Sequence, residues 1–185
     1  HVVTRRQRQM CIRDSLNNIK LFNLAVGSET KQTQIFVNQD NDGGHTLWDV
    51  GKHPFNKKSL NNQTMQNTQL STLDNILSQS GNITNLKMIK IDTEGAELNV
   101  IKGAVNTIGK YDVPYIICEI NRFGLQQMGT NETELREFIS SLGYETYLLV
   151  SNNSSNQLVK LPIGKYYQTS HVFNVLFTRL DFISQ

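Results

Sequence analysis

Asp92, Glu94 and Glu97 stand close together in the segment MIKIDTEGAELNVIKGA, residues 88–104. Asp92 ends an apolar run, LKMIKID at residues 86–92, that reads as a buried strand. An acid at a strand's carboxyl end, where ligands gather in open α/β sheets, is placed to accept a proton or to orient a hydroxyl. Asp92 is therefore the first candidate for a general base or substrate orienter, and Glu94 the second, because two carboxylates this close can raise one pKa. Thr93 or Asp92 is expected to cap the following helix, with Glu94 and Glu97 in its first turn. The helix dipole favours a carboxylate there by about 0.3–1 kcal/mol, so ordinary capping accounts for Glu97 as well as chemistry does. Gly95 and Ala96 are small residues at a helix start, suited to a close approach of helix to sheet or of backbone to ligand.

Glu119 closes the next apolar run, YIICEI at residues 115–120, and either hydrogen-bonds substrate or sits as a paired buried acid. His45 and His171 are candidate substrate contacts, set against structural or solvated histidines. Trp48 can stack on a sugar or anchor its loop, and the anchor is the stronger reading. Cys118 lies mid-strand and behaves as a small buried hydrophobe. No metal site is expected. The rival chemistry is a metal-assisted glycosyltransferase, in which Asp92-x-Glu94 holds Mn²⁺ or Mg²⁺ against a nucleotide-sugar diphosphate, although no basic cluster stands ready for the diphosphate. A second rival is a non-catalytic remnant.

The elements that must position these residues are legible from Leu16 onward. Residues 19–26 (IKLFNLAV) read as a strand closed by Gly27-Ser28, and the alternation over residues 32–38 as another. Residues 39–45 (QDNDGGH) are loop chemistry, and the polar stretch 56–69 is loop or solvent-exposed strand. Thr72 can cap a short helix ended by Gly81. After the strand at 86–92, Leu98, Ile101, Val105 and Ile108 share one helical face. The strand at 115–120 follows Pro114. Asn131 with Glu134 forms a capping-box-like start to a helix carrying Leu135, Phe138, Ile139 and Leu142 and stopped by Gly143. Residues 144–150 form a strand, 151–156 a loop, and 172–177 a closing strand. Strands alternating with helices imply an α/β fold, doubly wound around a mostly parallel sheet with right-handed crossovers. The strand-end rule then selects residues 25–26, 92–97 and 119–122.

The segment KIDTEGAELNVIKGA, residues 90–104, resembles the signature of FkbM-type methyltransferases, which use S-adenosylmethionine. NLAVGS (23–28), STLD (71–74), IICEI (116–120) and HVFNVLF (171–177) resemble further family segments in the same order, so the likeness spans roughly residues 16–180. It implies a Rossmann-like class I methyltransferase sheet of seven strands with an antiparallel final strand. It also implies methyl transfer to a hydroxyl oxygen of a sugar or natural product, hence a small-molecule or glycan acceptor. By this likeness residues 21–26 are the third strand, 88–92 the fourth and 115–120 the fifth. Asn23, Ala25 and Val26 then lie near the adenine edge of the cofactor, and Asp92 beside the reacting methyl group. The family's Gly-rich turn after its first strand, and the acid ending its second, have no counterpart here. The expectation is an N-terminally truncated domain over residues 16–185, with weak or no S-adenosylmethionine binding. Residues 1–15 (HVVTRRQRQMCIRDS) read as a non-native or disordered leader.

Composition narrows the remaining classes. The formal charge is +2, but residues 1–14 carry four arginines against Asp14, which leaves a body with 14 basic and 15 acidic residues. A near-neutral body lacks the clustered Lys and Arg of a phosphate-binding surface, so no nucleic-acid partner is expected. Mean hydropathy is −0.38, and no run reaches the ~18–20 apolar residues of a membrane span. Cys11 and Cys118 are the only cysteines, too few for a disulfide scaffold. No secretory signal is legible, and the expected location is cytoplasmic. Nothing in the residues specifies an oligomeric state.

Overall fold

The computed structural model describes residues 19–81, 83–151 and 156–180; the expected leader at residues 1–15 lies outside them. Three strands form a first sheet: β1 (Ala25–Val26), β2 (Lys31–Val37) and β3 (Thr64–Ser71), in the order β1-β3-β2. β1 runs parallel to β3, and β2 antiparallel to it from Lys31↔Leu70 to Val37↔Thr64. The strand expected over residues 19–26 is confined to its last two residues. Ile19 and Leu21 stay 42% and 41% exposed, so too little burial offsets the cost of ordering a longer ladder. β3 is built from TMQNTQLS, which has little apolar pattern. Its backbone ladder and cross-strand bonds such as Gln34 Nε2 to Asn67 Oδ1 (3.0 Å) hold it instead.

The connection from β2 to β3 contains a 3₁₀ turn, Val50–Lys52, and a short helix α1 (Lys57–Asn61). Side-chain turns order it. Asn38 Oδ1 accepts the N–H groups of Asp40 (2.8 Å) and Asn41 (2.9 Å). The Asp40 carboxylate accepts those of Lys58 and Ser59 at the start of α1.

The second sheet contains β4 (Met88–Ile91), β5 (Tyr115–Ile120), β6 (Glu145–Ser151), β7 (Asn156–Lys160) and β8 (Phe173–Thr178), in the order β4-β5-β8-β6-β7. Only β4 and β5 are parallel; β8 lies antiparallel between β5 and β6. The α/β class and the antiparallel final strand are therefore present. The expected mostly parallel, doubly wound sheet is not: both described sheets are mixed. β8 is apolar enough for an interior position, with Val175 and Phe177 fully buried. β7, where only a loop was expected up to residue 156, closes a hairpin with β6. Residues 152–155 of that loop lie outside the described residues.

Helix α2 (Leu73–Ser78) is capped as expected, with Thr72 Oγ1 accepting the Asn75 N–H at 3.0 Å. The single helix expected after β4 is two, α3 (Glu97–Lys102) and α4 (Val105–Tyr111). The break has two causes. A Cβ on Gly103 would fall 2.0 Å from the Gly27 carbonyl oxygen, so the chain turns where it meets the end of β1. Asp74 then accepts the N–H groups of Asn106 (3.2 Å) and Thr107 (2.7 Å), which starts a new helix. α5 (Arg122–Gln127) is capped by Asn121, and α6 (Glu132–Ser141) by Asn131. The α6 start is reciprocal: Asn131 Oδ1 accepts the Glu134 N–H, and Asn131 Nδ2 donates to Glu134 Oε1 at 2.8 Å.

The main core lies between the second sheet and these helices, where Ile101, Ile116, Ile120, Leu125, Leu135, Ile139 and Phe177 are fully buried. Each such side chain contributes about 1.5–3 kcal/mol of burial energy. Val26 and Leu73 pack against the same cluster and tie the first sheet to it. A buried ionic clamp fixes residues 161–169. Glu132 bonds Arg122 (2.7 Å) and Arg136 (3.3 Å), and the two guanidiniums donate to the carbonyls of Leu161, Pro162, Lys165, Tyr167 and Thr169. Among the described residues, no helix is long and apolar enough to cross a membrane.

Candidate active site

The parallel register Ile91↔Cys118 sets the ends of β4 and β5 side by side, which brings Asp92 next to Glu119. Glu119 hydrogen-bonds Asp92. One carboxylate oxygen from each of Asp92, Glu94 and Glu119 lies within 4.8 Å of the other two. Burial, the hydrogen bond to Asp92 and the charges of Asp92 and Glu94 push the Glu119 carboxyl up to about 7, against an opposing pull from Lys90. Glu119 therefore keeps its proton up to near neutral pH. Lys90 Nζ lies 3.1 Å from Asp92 Oδ2 and pairs with it. Cys118 beside Glu119 is fully buried, and burial raises its thiol pKa, as suits an inert core residue.

Residues 93–96 are not the helix turn expected from the sequence. Neither Thr93 nor Asp92 caps α3; Ala96 holds that position without a side-chain bond, and Glu97 is the first helical residue. Glu94 and Gly95 instead take left-handed backbone, φ 55° and 119°. Gly95 crosses Gly124 so closely that a Cβ on Gly95 would lie 2.3 Å from the Gly124 carbonyl carbon. The turn is held from three sides. Trp48 Nε1 donates to the Glu94 carbonyl at 2.7 Å, Asn121 Nδ2 donates to Glu94 Oε2 at 2.7 Å, and Glu97 Oε1 accepts the Gly95 N–H at 2.7 Å. Trp48 is 6% exposed and packs edge-on against Phe123, so it anchors its loop.

Two clefts open on this turn. The first is lined by Ala25, Val26, Ile35 and Leu47 on an apolar wall and by His45, Asp92 and Glu94 opposite. The space it encloses is about 40 Å³, room for a few waters, and it opens to solvent. His45 Nδ1 accepts the Asn38 N–H at 3.1 Å, and burial lowers its pKa against the pull of Asp42. The ring is therefore neutral at pH 7, with its proton on Nε2. The second cleft lies on the other side of Glu94 and Thr46, which line both.

Ala25, Val26, His45, Asp92 and Glu94 thus come together, with Glu119 beside the two acids. Asn23 and His171 do not join them. Asn23 is exposed and lines a separate groove with Gln32 and Gln66. His171 is exposed, its backbone N–H bonded to Thr169 Oγ1, and it lines neither cleft. Asn121 and Lys90 were not singled out from the sequence. The strand-end rule had reached Asn121 without giving it a task, and a lysine two residues before a strand-end acid shares its face of the strand, a usable signal for a counter-ion. Ile35 and Leu47 carry no sequence signal, since only the folding of the β2–β3 connection brings them here. Residues 6–146 match the family model of the methyltransferase FkbM domain. No curated protein and no solved structure gives a match.

Proposed function

The chain belongs to the FkbM methyltransferase family, and from that premise we propose that it serves S-adenosylmethionine-dependent methyl transfer to a hydroxyl oxygen of a sugar or natural-product acceptor. The observation that carries this reading is the Asp92–Glu119 pair at neighbouring strand ends beside a cleft with an apolar wall. The donor set fits the cofactor: Ala25, Val26, Ile35 and Leu47 suit a purine face, and the carboxylates of Asp92 and Glu94 suit a sulfonium cation. When bound, S-adenosylmethionine supplies an activated methyl group. Asn23 belongs to this reading only as the residue two positions ahead of β1, on a separate groove. The described residues include no Gly-rich turn leading from a strand into a helix, so the expected cofactor affinity is weak. Micromolar binding by calorimetry would overturn that part.

Asp92 orients the acceptor hydroxyl and, with Glu119, takes its proton; such general-base help contributes ~10²–10⁴ in rate. Glu94 holds the substrate side of the turn, and His45 donates from Nε2. His171 enters this reading only as a contact at the acceptor's outer end. No metal takes part, and no nucleic acid is a partner. The free, buried Cys118 accords with a reducing compartment, and we place the protein in the cytoplasm.

Glu119 is free to receive the acceptor's proton only once it has lost its own, near pH 7. Turnover measured with labelled cofactor should therefore rise with pH through a midpoint near 7, and Glu119→Gln should abolish the rise. Asp92→Asn should cut turnover ~10²–10⁴-fold with cofactor affinity nearly unchanged. Equal activity in Asp92→Asn removes Asp92 from the mechanism. The three-carboxylate cluster favours one second reading, metal-assisted glycosyl transfer. A saturable rise in Tm with Mn²⁺, lost in Asp92→Asn, would support it over methyl transfer.

A further inference from the structure

The second cleft has a chemistry of its own. It holds about 200 Å³, the scale of a single sugar ring. Of its eleven lining residues none is Lys or Arg, and Glu94 is the only carboxylate. Four of the others are asparagines, and three of these have side-chain bonding that is only half used. Asn38 is 6% exposed and its Oδ1 serves the N–H groups of Asp40 and Asn41, which leaves Nδ2 as a donor beside Gly44. Asn41 Oδ1 accepts the Gly43 N–H, again leaving Nδ2. Asn56 Nδ2 is given to the Val50 carbonyl, leaving Oδ1 as an acceptor. Glu94 Oε2 is taken by Asn121, leaving Oε1. Free donors and acceptors are thus interleaved. Hydroxyls answer both at once, whereas a phosphate or carboxylate only accepts and meets the Glu94 charge.

Phe55, not itself a lining residue, adds a second feature next to the cleft. Phe55 is 81% exposed, more than any other large hydrophobic residue described. It stands between His53 and Asn56, which both line the cleft, with its ring 5.6 Å from that of His53. His53 in turn packs edge-on against Phe123 at 4.8 Å, so the aromatic row is fixed from below. A bare ring beside a floor of amides matches a ligand with one apolar face and a belt of hydroxyls.

We propose that the second cleft is the acceptor subsite, that it takes an uncharged pyranose ring lying on Phe55 with its hydroxyls on Asn38, Asn41 and Asn56, and that it rejects phosphorylated or carboxylated sugars. This rests on the methyl-transfer reading for its purpose, but the binding stands or falls separately. Trp48 is the only tryptophan of the chain and lines this cleft, so its fluorescence reports occupancy. The experiment titrates neutral methyl pyranosides, and beside them glucose 6-phosphate and methyl glucuronide, into the full chain without cofactor. The expected result is a saturable change with at least one neutral sugar, at least tenfold weaker with its charged counterparts, and weakened roughly tenfold in Phe55→Ala, whose exposed site leaves folding intact. No response to any neutral sugar, equal response to the charged ones, or an unchanged Phe55→Ala overturns the proposal. Saturable neutral binding with no methyl transfer under any condition upholds the subsite and removes the methyltransferase reading. Methylation of a charged acceptor does the reverse.

Discussion

The carboxyl of Glu97 is fully buried, and its Oε2 has no hydrogen-bond partner. Burial raises its pKa from 4.5 to about 7, although the Gly95 N–H and the Thr93 hydroxyl on Oε1 pull the other way. An acid whose folded pKa is raised keeps its proton in the folded state after the unfolded chain has lost it. Stability therefore falls as pH rises from about 4.5 to about 7 and is level above that, by an amount on the order of 3 kcal/mol at full effect. Glu97→Gln keeps an acceptor for Gly95 and cannot ionise. Its Tm should match the parent near pH 4.5 and exceed it by several degrees at pH 8; a constant difference across that range would refute the buried-proton account. The site was readable at Asp92 and Glu119 because each acid interrupts an apolar strand. It was not readable at Glu94 and Glu97, where sequence spacing suggests one helical turn. The left-handed turn that parts them depends on Gly124, a residue 29 positions along the chain from Gly95 that no local pattern connects to it.

That Gly95–Gly124 crossing lets the turn after β4 sit on the start of α5. A methyl group on Gly95 meets both a φ of 119° and a backbone atom at 2.3 Å, and neither neighbour is a flexible side chain that can move aside. Gly95→Ala should cost roughly 2–5 kcal/mol from strain and overpacking together. Gly109, inside α4 with nothing within 4 Å of a Cβ, is the matched contrast. Gly109→Ala should stabilise by about 0.5–1 kcal/mol through helix propensity. Chemical denaturation of the two variants checks both signs, and similar effects from the two would mean the crossing bears no load. Elements with strong local signals were legible for the same local reasons: β4, β5 and β8 from apolar runs, α2 and α6 from caps and stops. β3 was left open between loop and exposed strand, and β7 was hidden, because their ladders hold them more than buried side chains do, Leu70 being the buried apolar residue of β3. The break between α3 and α4 was hidden because Asp74 and Gly27, both far along the chain, impose it.

The described molecule contains two sheets of unequal support. The five-stranded sheet shares a core of nineteen buried residues, whereas the three-stranded sheet buries Ala25, Ile35 and Leu70 with Leu47 packed against them. The order of strand types along the chain identified an α/β protein but could not divide it, because pairing between β2 and β3 follows from a 26-residue connection whose turns are set by side chains such as Asn38 and Asp40. Apolar burial is the main term that resists opening, so the smaller sheet should open at lower free energy than the larger one. Amides of β2 and β3 should exchange with deuterium at least ~10-fold faster than those of β5 and β8, whose exchange should approach the global limit. Both clefts bridge these units: Ile35 and the β2–β3 connection form one side, the Asp92–Ala96 turn the other. A ligand in either cleft has to hold the smaller sheet against the larger to keep its contacts. It should therefore slow exchange in β1 to β3 and in residues 38–56 while leaving β5 and β8 nearly unchanged. Equal protection of the two sheets without ligand, or uniform slowing of all strands with it, would show instead that the molecule opens as one cooperative unit and that the clefts do not lie on its weakest seam.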